Sequence, residues 1–178
     1  MDSVSSIELQ QIAAIPLFAG VRADHLAEIT AHASRVSLAA DETLFADDEG
    51  ADSLFVVLTG AVEVFVTAGD DCQRVIANIG PGMVLGEIPL LIGGPRSASA
   101  RAAEPTTLLR IPYAELQTLI RADSPSAYRL IYNLAQVLAT RLRSADDLLS
   151  ELCGQSDAAS ASIDDIDRLR RIFFVDWG

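Results

Sequence analysis

The chain has 178 residues with 25 acidic side chains against 13 basic ones, and all 13 basic residues are arginine. The absence of lysine excludes a Walker A phosphate loop and Schiff-base chemistry on a lysine amine. The net charge of −12, with no basic segment in either half, argues against nucleic-acid binding, which depends on clustered Lys and Arg.

Half of the residues are apolar and 21% are charged, which is typical of a folded domain with a real core. No uncharged stretch reaches the roughly 18 residues needed to span a bilayer, and the first ten residues contain acids where a secretory signal has a basic stretch. We therefore expect a cytoplasmic protein without membrane contact. Cys72 and Cys153 are too few and too far apart for a disulfide framework or a four-thiolate zinc site.

Residues 1–33 are predicted to form a helical lead-in, with short helices at 7–14 and 23–33 separated by Pro16 and Gly20. From residue 34 to 111 the pattern changes to short apolar or alternating runs, which indicate β-strands. Their close spacing predicts an antiparallel roll or sandwich. The runs are residues 35–39, 54–58, 62–66, 74–79, 97–103 and 107–111, and residues 69–71 form a hairpin signal between two of them.

Helical spacing returns in residues 112–152, which are predicted to hold a helix at 113–121 and a long helix at 126–152. The long helix carries an apolar seam at steps of three and four residues, which suits either a homodimer or packing on its own domain. Residues 153–178 are predicted to be a linker followed by a short amphipathic tail helix. The seam consists of Leu134, Leu138, Leu142, Ala145, Leu149 and Leu152.

The sequence shows no catalytic or metal-binding pattern. His25 and His32 are two helical turns apart, about 10 Å, which is too far to share one metal ion. The acidic run at residues 47–52 lacks the spacing of a calcium loop and is interpreted as a solvated turn. Neither histidine can be placed beside a nucleophile, and the glycines at 80–86 do not fit a dinucleotide fingerprint. We therefore expect no enzyme activity, no metal and no cofactor.

Residues 85–102 carry the pattern that points to a ligand. Gly86 and Glu87 are predicted to open a single helical turn, and exposed N–H groups at a helix start attract an anion. The glycines at 93 and 94 then turn the chain back, so that the guanidinium of Arg96 could point to the same place. An ordinary surface pair of a Glu and an Arg is the alternative interpretation of this segment.

This segment resembles the phosphate-binding cassette of the cyclic nucleotide-binding domain family, whose pattern is an apolar residue, Gly-Glu, a variable, a small and an apolar residue, a spacer, then Arg, a small residue and Ala. Residues 49–60, where two glycines bracket an apolar strand, and residues 15–20 resemble two further features of the family. The resemblance covers about residues 7–152. It implies an α+β fold, a jelly-roll-like antiparallel β-roll of about eight strands flanked by N-terminal helices and a long C-terminal helix.

The resemblance implies that the ligand is a cyclic nucleotide, cAMP or cGMP. Glu87 would accept a hydrogen bond from the ribose 2′-hydroxyl, Arg96 would pair with the phosphate oxygens, and Ser97 would contact the phosphate or the base. An aromatic side chain of the long helix or the tail would cap the base. The implied ligand-binding residues are Gly86, Glu87, Ile88, Arg96, Ser97 and Ala98, and the candidates for the base cap are Tyr132, Phe173 and Trp177.

Pro89 departs from the family pattern, because it stands where the family has a small residue whose N–H often binds the phosphate. Losing that bond costs about 1 kcal/mol, or up to about 3 kcal/mol if a phosphate oxygen stays unpaired. The sequence therefore leaves three functions open. The leading one is a stand-alone sensor that signals to a partner protein through its C-terminal helices, since residues 153–178 are too few for the DNA-binding domain of bacterial relatives. The alternatives are a ligand-free interaction scaffold and a sensor of another phosphate ligand such as a cyclic dinucleotide.

Overall fold

The structure is a computed structural model that describes residues 6–68 and 72–154 of the chain. Helices α1 and α2 stand before the strands, on either side of a single 3₁₀ turn at Pro16–Phe18, and the long helix α5 ends the described part. In chain order the elements are α1 (Ser6–Ala13), α2 (Ala23–Thr30), β1 (Ser34–Leu38), β2 (Thr43–Phe45), β3 (Ser53–Thr59), β4 (Val62–Ala68), β5 (Cys72–Ile79), β6 (Val84–Leu85), α3 (Glu87–Ile92), β7 (Ser99–Ala102), β8 (Thr106–Pro112), α4 (Tyr113–Arg121) and α5 (Pro125–Gly154).

The strands form two four-stranded sheets, in the orders β1-β8-β3-β6 and β2-β7-β4-β5, and every described pairing is antiparallel. The predicted α+β fold with an antiparallel roll of about eight strands is therefore confirmed. Strands β2 and β6 have only three and two residues, too few for an alternating pattern to show in the sequence. The predicted hairpin turn at 69–71 and the predicted tail helix lie outside the described residues. The division of the chain into four segments, at 1–33, 34–111, 112–152 and 153–178, stays a prediction.

The buried apolar side chains form two clusters, one between the helices and the β1-β8-β3-β6 sheet and one between the two sheets, and strand β3 contributes to both. Leu54 and Val56 pack with the helices, whereas Phe55 and Val57 point into the space between the two sheets. Because both faces of the strand are covered, its sequence is a continuous apolar run rather than an alternating one.

In strand β4, Phe65 lies on the opposite face from Val64 and is buried there under the guanidinium of Arg101, whose Cζ is 4.9 Å from the ring centroid. The register between β4 and β5 shifts at this point, and the extra residue of the bulge lies on β5, where the neighbours Ile76 and Ala77 are both buried.

The first half of α5 is held to the N-terminal helices by polar contacts. The amide of Asn133, which is 7% exposed, donates to the carbonyls of Leu17 and Ala19 at 2.8 and 2.9 Å. At the start of the helix the hydroxyls of Ser124 and Ser126 donate to the carboxylate of Glu28 in α2. These hydrogen bonds hold the first half of α5 against α2 and the 3₁₀ turn.

The apolar seam of α5 leaves the core as the helix proceeds. Leu134 is fully buried, Leu138 is half-buried, and Leu142 is 62% exposed. The side chains of Ala145, Leu149 and Leu152 lie outside the described part of the structure, so the role of the seam stays a prediction. None of the described helices is both long enough and apolar enough to cross a membrane.

Candidate functional site

The segment around Gly86 begins helix α3 in a conformation that requires glycine. Gly86 is the N-cap of α3 with φ +85°, a left-handed conformation that other residues rarely adopt. Glu87 follows as the first helical residue and is only 4% exposed. Pro89 lies two residues further, in the first turn, where helical N–H groups have no intrahelical partner. Proline therefore costs the helix nothing here, but it removes one N–H that a ligand could have used.

The backbone of Arg96 is fixed by the acidic turn that precedes β3. The N–H of Arg96 donates to the carbonyl of Glu49 at 2.9 Å, and the carbonyl of Arg96 accepts from the N–H of Asp48 at 3.1 Å. An isolated β-bridge between Gly50 and Pro95 continues this pairing. The acidic turn thus holds the cassette arginine in place through its backbone.

The side chain of Arg96 is buried, with 4% of its surface exposed. Its Nη2 donates to the carbonyl of Ser53 at 2.9 Å, and its Nη1 donates to the hydroxyl of Tyr113 at 3.3 Å. The guanidinium also lies over the rings of Phe45 and Phe55, with Cζ at 4.3 and 5.4 Å from the two centroids. Its Nε is buried without a hydrogen-bond partner. A charged group that is removed from water in this way is costly unless something pairs with it.

Arg96 lines one concavity together with the start of α3. The space that the centre of a water molecule can occupy in this cavity is about 30 Å³, and all the empty space between its walls, including space open to solvent, is about 410 Å³. All six ligand-binding residues predicted from the sequence lie in its wall. The lining residues are Phe45, Val64, Ile79, Val84, Leu85, Gly86, Glu87, Ile88, Pro89, Arg96, Ser97 and Ala98.

The structure does not bring Tyr132, the one predicted base cap among the described residues, to this cavity. Tyr132 lies on α5, is 55% exposed and is not among the described residues that line the cavity. Its hydroxyl accepts a hydrogen bond from the amide of Gln136 at 3.3 Å. Phe173 and Trp177 lie outside the described residues. The assignment of a base cap therefore stays a prediction.

Four residues that contact the guanidinium were not singled out from the sequence. Phe45 lies in β2, Ser53 and Phe55 lie in β3, and Tyr113 begins α4, and no spacing relates them to Arg96 before the roll has formed. The hydroxyl of Tyr113 also donates to the carbonyl of Gly86. Burial raises the pKa of Tyr113 to about 12, although the neighbouring positive charge of Arg96 acts in the opposite direction. The phenol is therefore protonated at neutral pH and can donate.

Residues 35–123 match the family described as the cyclic nucleotide-binding domain. The chain belongs to this family, and its matching part is a regulatory domain like that of CRP-type proteins. The predicted family membership is thus confirmed.

Individual relatives support the same assignment. The cyclic AMP receptor protein of Thermus thermophilus is 36% identical over 76% of this chain and 62% of its own length. The crystal structure of the catabolite activator protein from the same organism has a TM-score of 0.68 at 34% identity, over 78% of this chain and 63% of that one. The c-di-GMP-responsive global regulator CLP of Xanthomonas campestris has a TM-score of 0.62 at 28% identity, over 76% and 66% of the two chains.

These matches concern one domain of longer proteins, because the chain spans about three fifths of the curated receptor's length. Glutaminase 1 of Bradyrhizobium diazoefficiens also matches, at 31% identity, but the matched region is 22% of that enzyme and 79% of this chain. The similarity therefore indicates a regulatory domain that also occurs within an enzyme.

Proposed function

We propose that the chain is a cyclic nucleotide sensor that binds cAMP or cGMP in the cavity between α3 and Arg96 and signals to a partner protein through α4 and α5. The observation that carries the proposal is the buried guanidinium of Arg96 in the cavity wall, whose Nε has no partner. A phosphate oxygen is the best acceptor for such a donor, since a hydrogen bond between two charged groups is about twice as strong as a neutral one.

Glu87 supports a ligand that carries hydroxyl groups as well as a phosphate. Its side chain is 4% exposed and lines the same cavity as Arg96. An ionised carboxylate only accepts hydrogen bonds, which suits the ribose 2′-hydroxyl as a donor. Ser97, at the exposed edge of the lining, has a hydroxyl that can accept or donate and is compatible with both cAMP and cGMP.

The route to the partner would begin at Tyr113, the first residue of α4, whose hydroxyl contacts the guanidinium. Helix α4 packs on α5, and α5 is tied to the N-terminal helices by Asn133. A shift of the guanidinium towards a ligand would therefore be transmitted to α4 and α5. The exposed Leu142 of the seam would meet either the partner protein or a second copy of the 126–152 helix.

Two alternative functions each have an observation in their favour. Pro89 lacks an N–H, and the cavity leaves only about 30 Å³ for the centre of a water molecule, which is far smaller than the roughly 300–1,000 Å³ of typical ligand pockets. Both features would suit a scaffold that keeps the fold without a ligand. The similarity to a c-di-GMP-responsive regulator favours a cyclic dinucleotide as the alternative ligand.

Titration calorimetry tests the proposal. The protein is first unfolded, freed of bound nucleotide and refolded, and it is then titrated with cAMP, cGMP and c-di-GMP. Arg96→Ala should weaken binding by on the order of tenfold to a hundredfold, because it removes a charge-assisted contact. The matched control is Arg101→Ala, since Arg101 also lies over a ring, that of Phe65, but pairs with Glu63 outside the cavity. This control should bind as the wild type does.

Each outcome separates the functions. Heat with cAMP or cGMP that is lost in Arg96→Ala supports the sensor, and heat only with c-di-GMP supports the dinucleotide alternative. No heat with any of the three, together with a melting temperature that none of them raises, would rule out the sensor and leave the scaffold.

A further inference from the structure

The hydroxyl of Tyr113 connects the two halves of the cassette. It accepts a hydrogen bond from Nη1 of Arg96 at 3.3 Å and donates one to the carbonyl of Gly86, the residue at which α3 begins. The tyrosine is only 7% exposed, and it is the first residue of α4. One oxygen atom therefore contacts both the cassette arginine and the start of the helix that carries Glu87.

The hydrogen bonds of the guanidinium show what this contact does. An arginine has five N–H donors in one plane, one on Nε and two on each terminal nitrogen. Ser53 accepts from Nη2 and Tyr113 accepts from Nη1, so each terminal nitrogen is anchored by an acceptor of the protein. Because the group is planar, two anchors at its end also set the direction of the Nε–H, which is buried without a partner.

The aromatic neighbours cannot supply this direction. The rings of Phe45 and Phe55 lie at 4.3 and 5.4 Å from Cζ of Arg96, and attraction between a cation and a ring face tolerates rotation in the guanidinium plane. With only the hydrogen bond to the carbonyl of Ser53, the guanidinium could still rotate about that one contact. The hydroxyl of Tyr113 is thus the second point that fixes the orientation of the group.

We propose that Tyr113 is a positioning residue whose hydroxyl orients Arg96, so that the Nε edge of the guanidinium faces the ligand's phosphate while α3 is held beside it. The phosphate part of this inference rests on the sensor function proposed above. The orientation of Arg96 does not, since it concerns contacts within the protein.

A first experiment tests the orientation without any nucleotide. NMR exchange spectroscopy on protein with ¹⁵N-labelled arginine measures the rate at which the guanidinium rotates about its Cζ–Nε bond, and Arg96→Lys assigns the Arg96 signal. Tyr113→Phe keeps the ring and removes the hydroxyl, and it should raise this rate by on the order of tenfold, as expected for one hydrogen bond to a charged group. Tyr128→Phe is the matched control, because its hydroxyl binds the carboxylate of Asp123 at 2.7 Å on an exposed surface. It should leave the rate unchanged.

An unchanged rotation rate in folded Tyr113→Phe would overturn the proposal. If this variant does not fold, the wild type alone decides, since Arg96 must then rotate at least tenfold more slowly than Arg121, whose side chain is exposed at the end of α4. Equal rates for the two arginines would overturn the proposal as well.

A second experiment separates positioning from a general structural effect. Nucleotide affinity is measured for the wild type, Tyr113→Phe, Arg96→Ala and the double variant, at nucleotide concentrations that reach the millimolar range. Tyr113→Phe should weaken binding by about tenfold in the wild-type background and by less than twofold in the Arg96→Ala background. Equal weakening in both backgrounds would show that the hydroxyl does not act through Arg96. If the wild type binds no nucleotide, the sensor function fails, and the rotation rates still decide the role of Tyr113.

Discussion

Replacing Gly86 by alanine would place a methyl group inside the contacts of the cassette. A Cβ at Gly86 would clash with Nη1 of Arg96 and would lie 2.9 Å from the carbonyl oxygen of Ser53 and 3.1 Å from Oη of Tyr113. The carbonyl belongs to strand β3 and cannot turn away. The methyl group therefore displaces the guanidinium or separates α3 from the sheet.

The size of the effect can be worked out with a second glycine as control. A non-glycine residue in the left-handed region costs about 1–2 kcal/mol, and crowding in a packed interior costs about 1–3 kcal/mol more. Gly86→Ala should thus lower the free energy of unfolding by about 2–5 kcal/mol. Gly82 has φ +83° and open space around its Cβ position, so Gly82→Ala should lose only the first part, about 1–2 kcal/mol.

Urea unfolding of both variants measures this difference, and calorimetry with the nucleotide that the wild type binds measures the displacement of Arg96. We expect Gly86→Ala to lose at least tenfold in affinity and Gly82→Ala to bind normally. Equal destabilisation of the two variants, with full nucleotide affinity in Gly86→Ala, would show that the guanidinium does not lie against Gly86.

Further variants test individual contacts of the fold and the site. Phe45→Leu removes the ring 4.3 Å from Cζ of Arg96. It should lower the free energy of unfolding, measured by urea unfolding, by about 1–3 kcal/mol. No measurable change would mean that the ring does not stabilise the guanidinium. Asn133→Ala leaves two carbonyls of the 3₁₀ turn without their donor and should cost about 1–3 kcal/mol, whereas Gln136→Ala on the exposed side of the same helix should change stability by less than about 0.5 kcal/mol. The pKa of Tyr113, about 12, lies above its ordinary value of 10.0, so the fold favours the protonated phenol. This contribution to stability is complete below about pH 10 and is lost as the pH rises towards about 12, and Tyr113→Phe, followed by urea unfolding at several pH values, should remove that decline.

The sequence was informative wherever a local pattern carries the structure. The helices at 113–121 and 126–152 and the main strands were visible as periodic runs, and α4 has the predicted bounds while α5 extends to Gly154. Strands β2 and β6 were missed because three and two residues are too few for an alternating pattern. The bulge at Ile76 of β5 was not predicted, because it follows from the register against β4 and not from a local pattern.

Within the cassette, too, some residues of the site could be recognised from the sequence and others could not. The Gly-Glu pair and the arginine could be recognised because the family keeps their spacing within one short segment. The neighbours of Arg96 could not, since Phe45, Ser53 and Tyr113 come from three elements that meet only when the two sheets close.

By itself, the sequence determined that this chain is an acidic, lysine-free domain with an antiparallel roll, and it determined which segment holds the charged pair of the candidate site. These properties follow from composition, hydrophobic period and a contiguous motif. The tertiary structure decided that the guanidinium of Arg96 is buried, that two protein acceptors hold its end, and that Tyr113 joins it to Gly86. Those facts depend on long-range strand register and on which side chains share one small volume, and no local pattern encodes either.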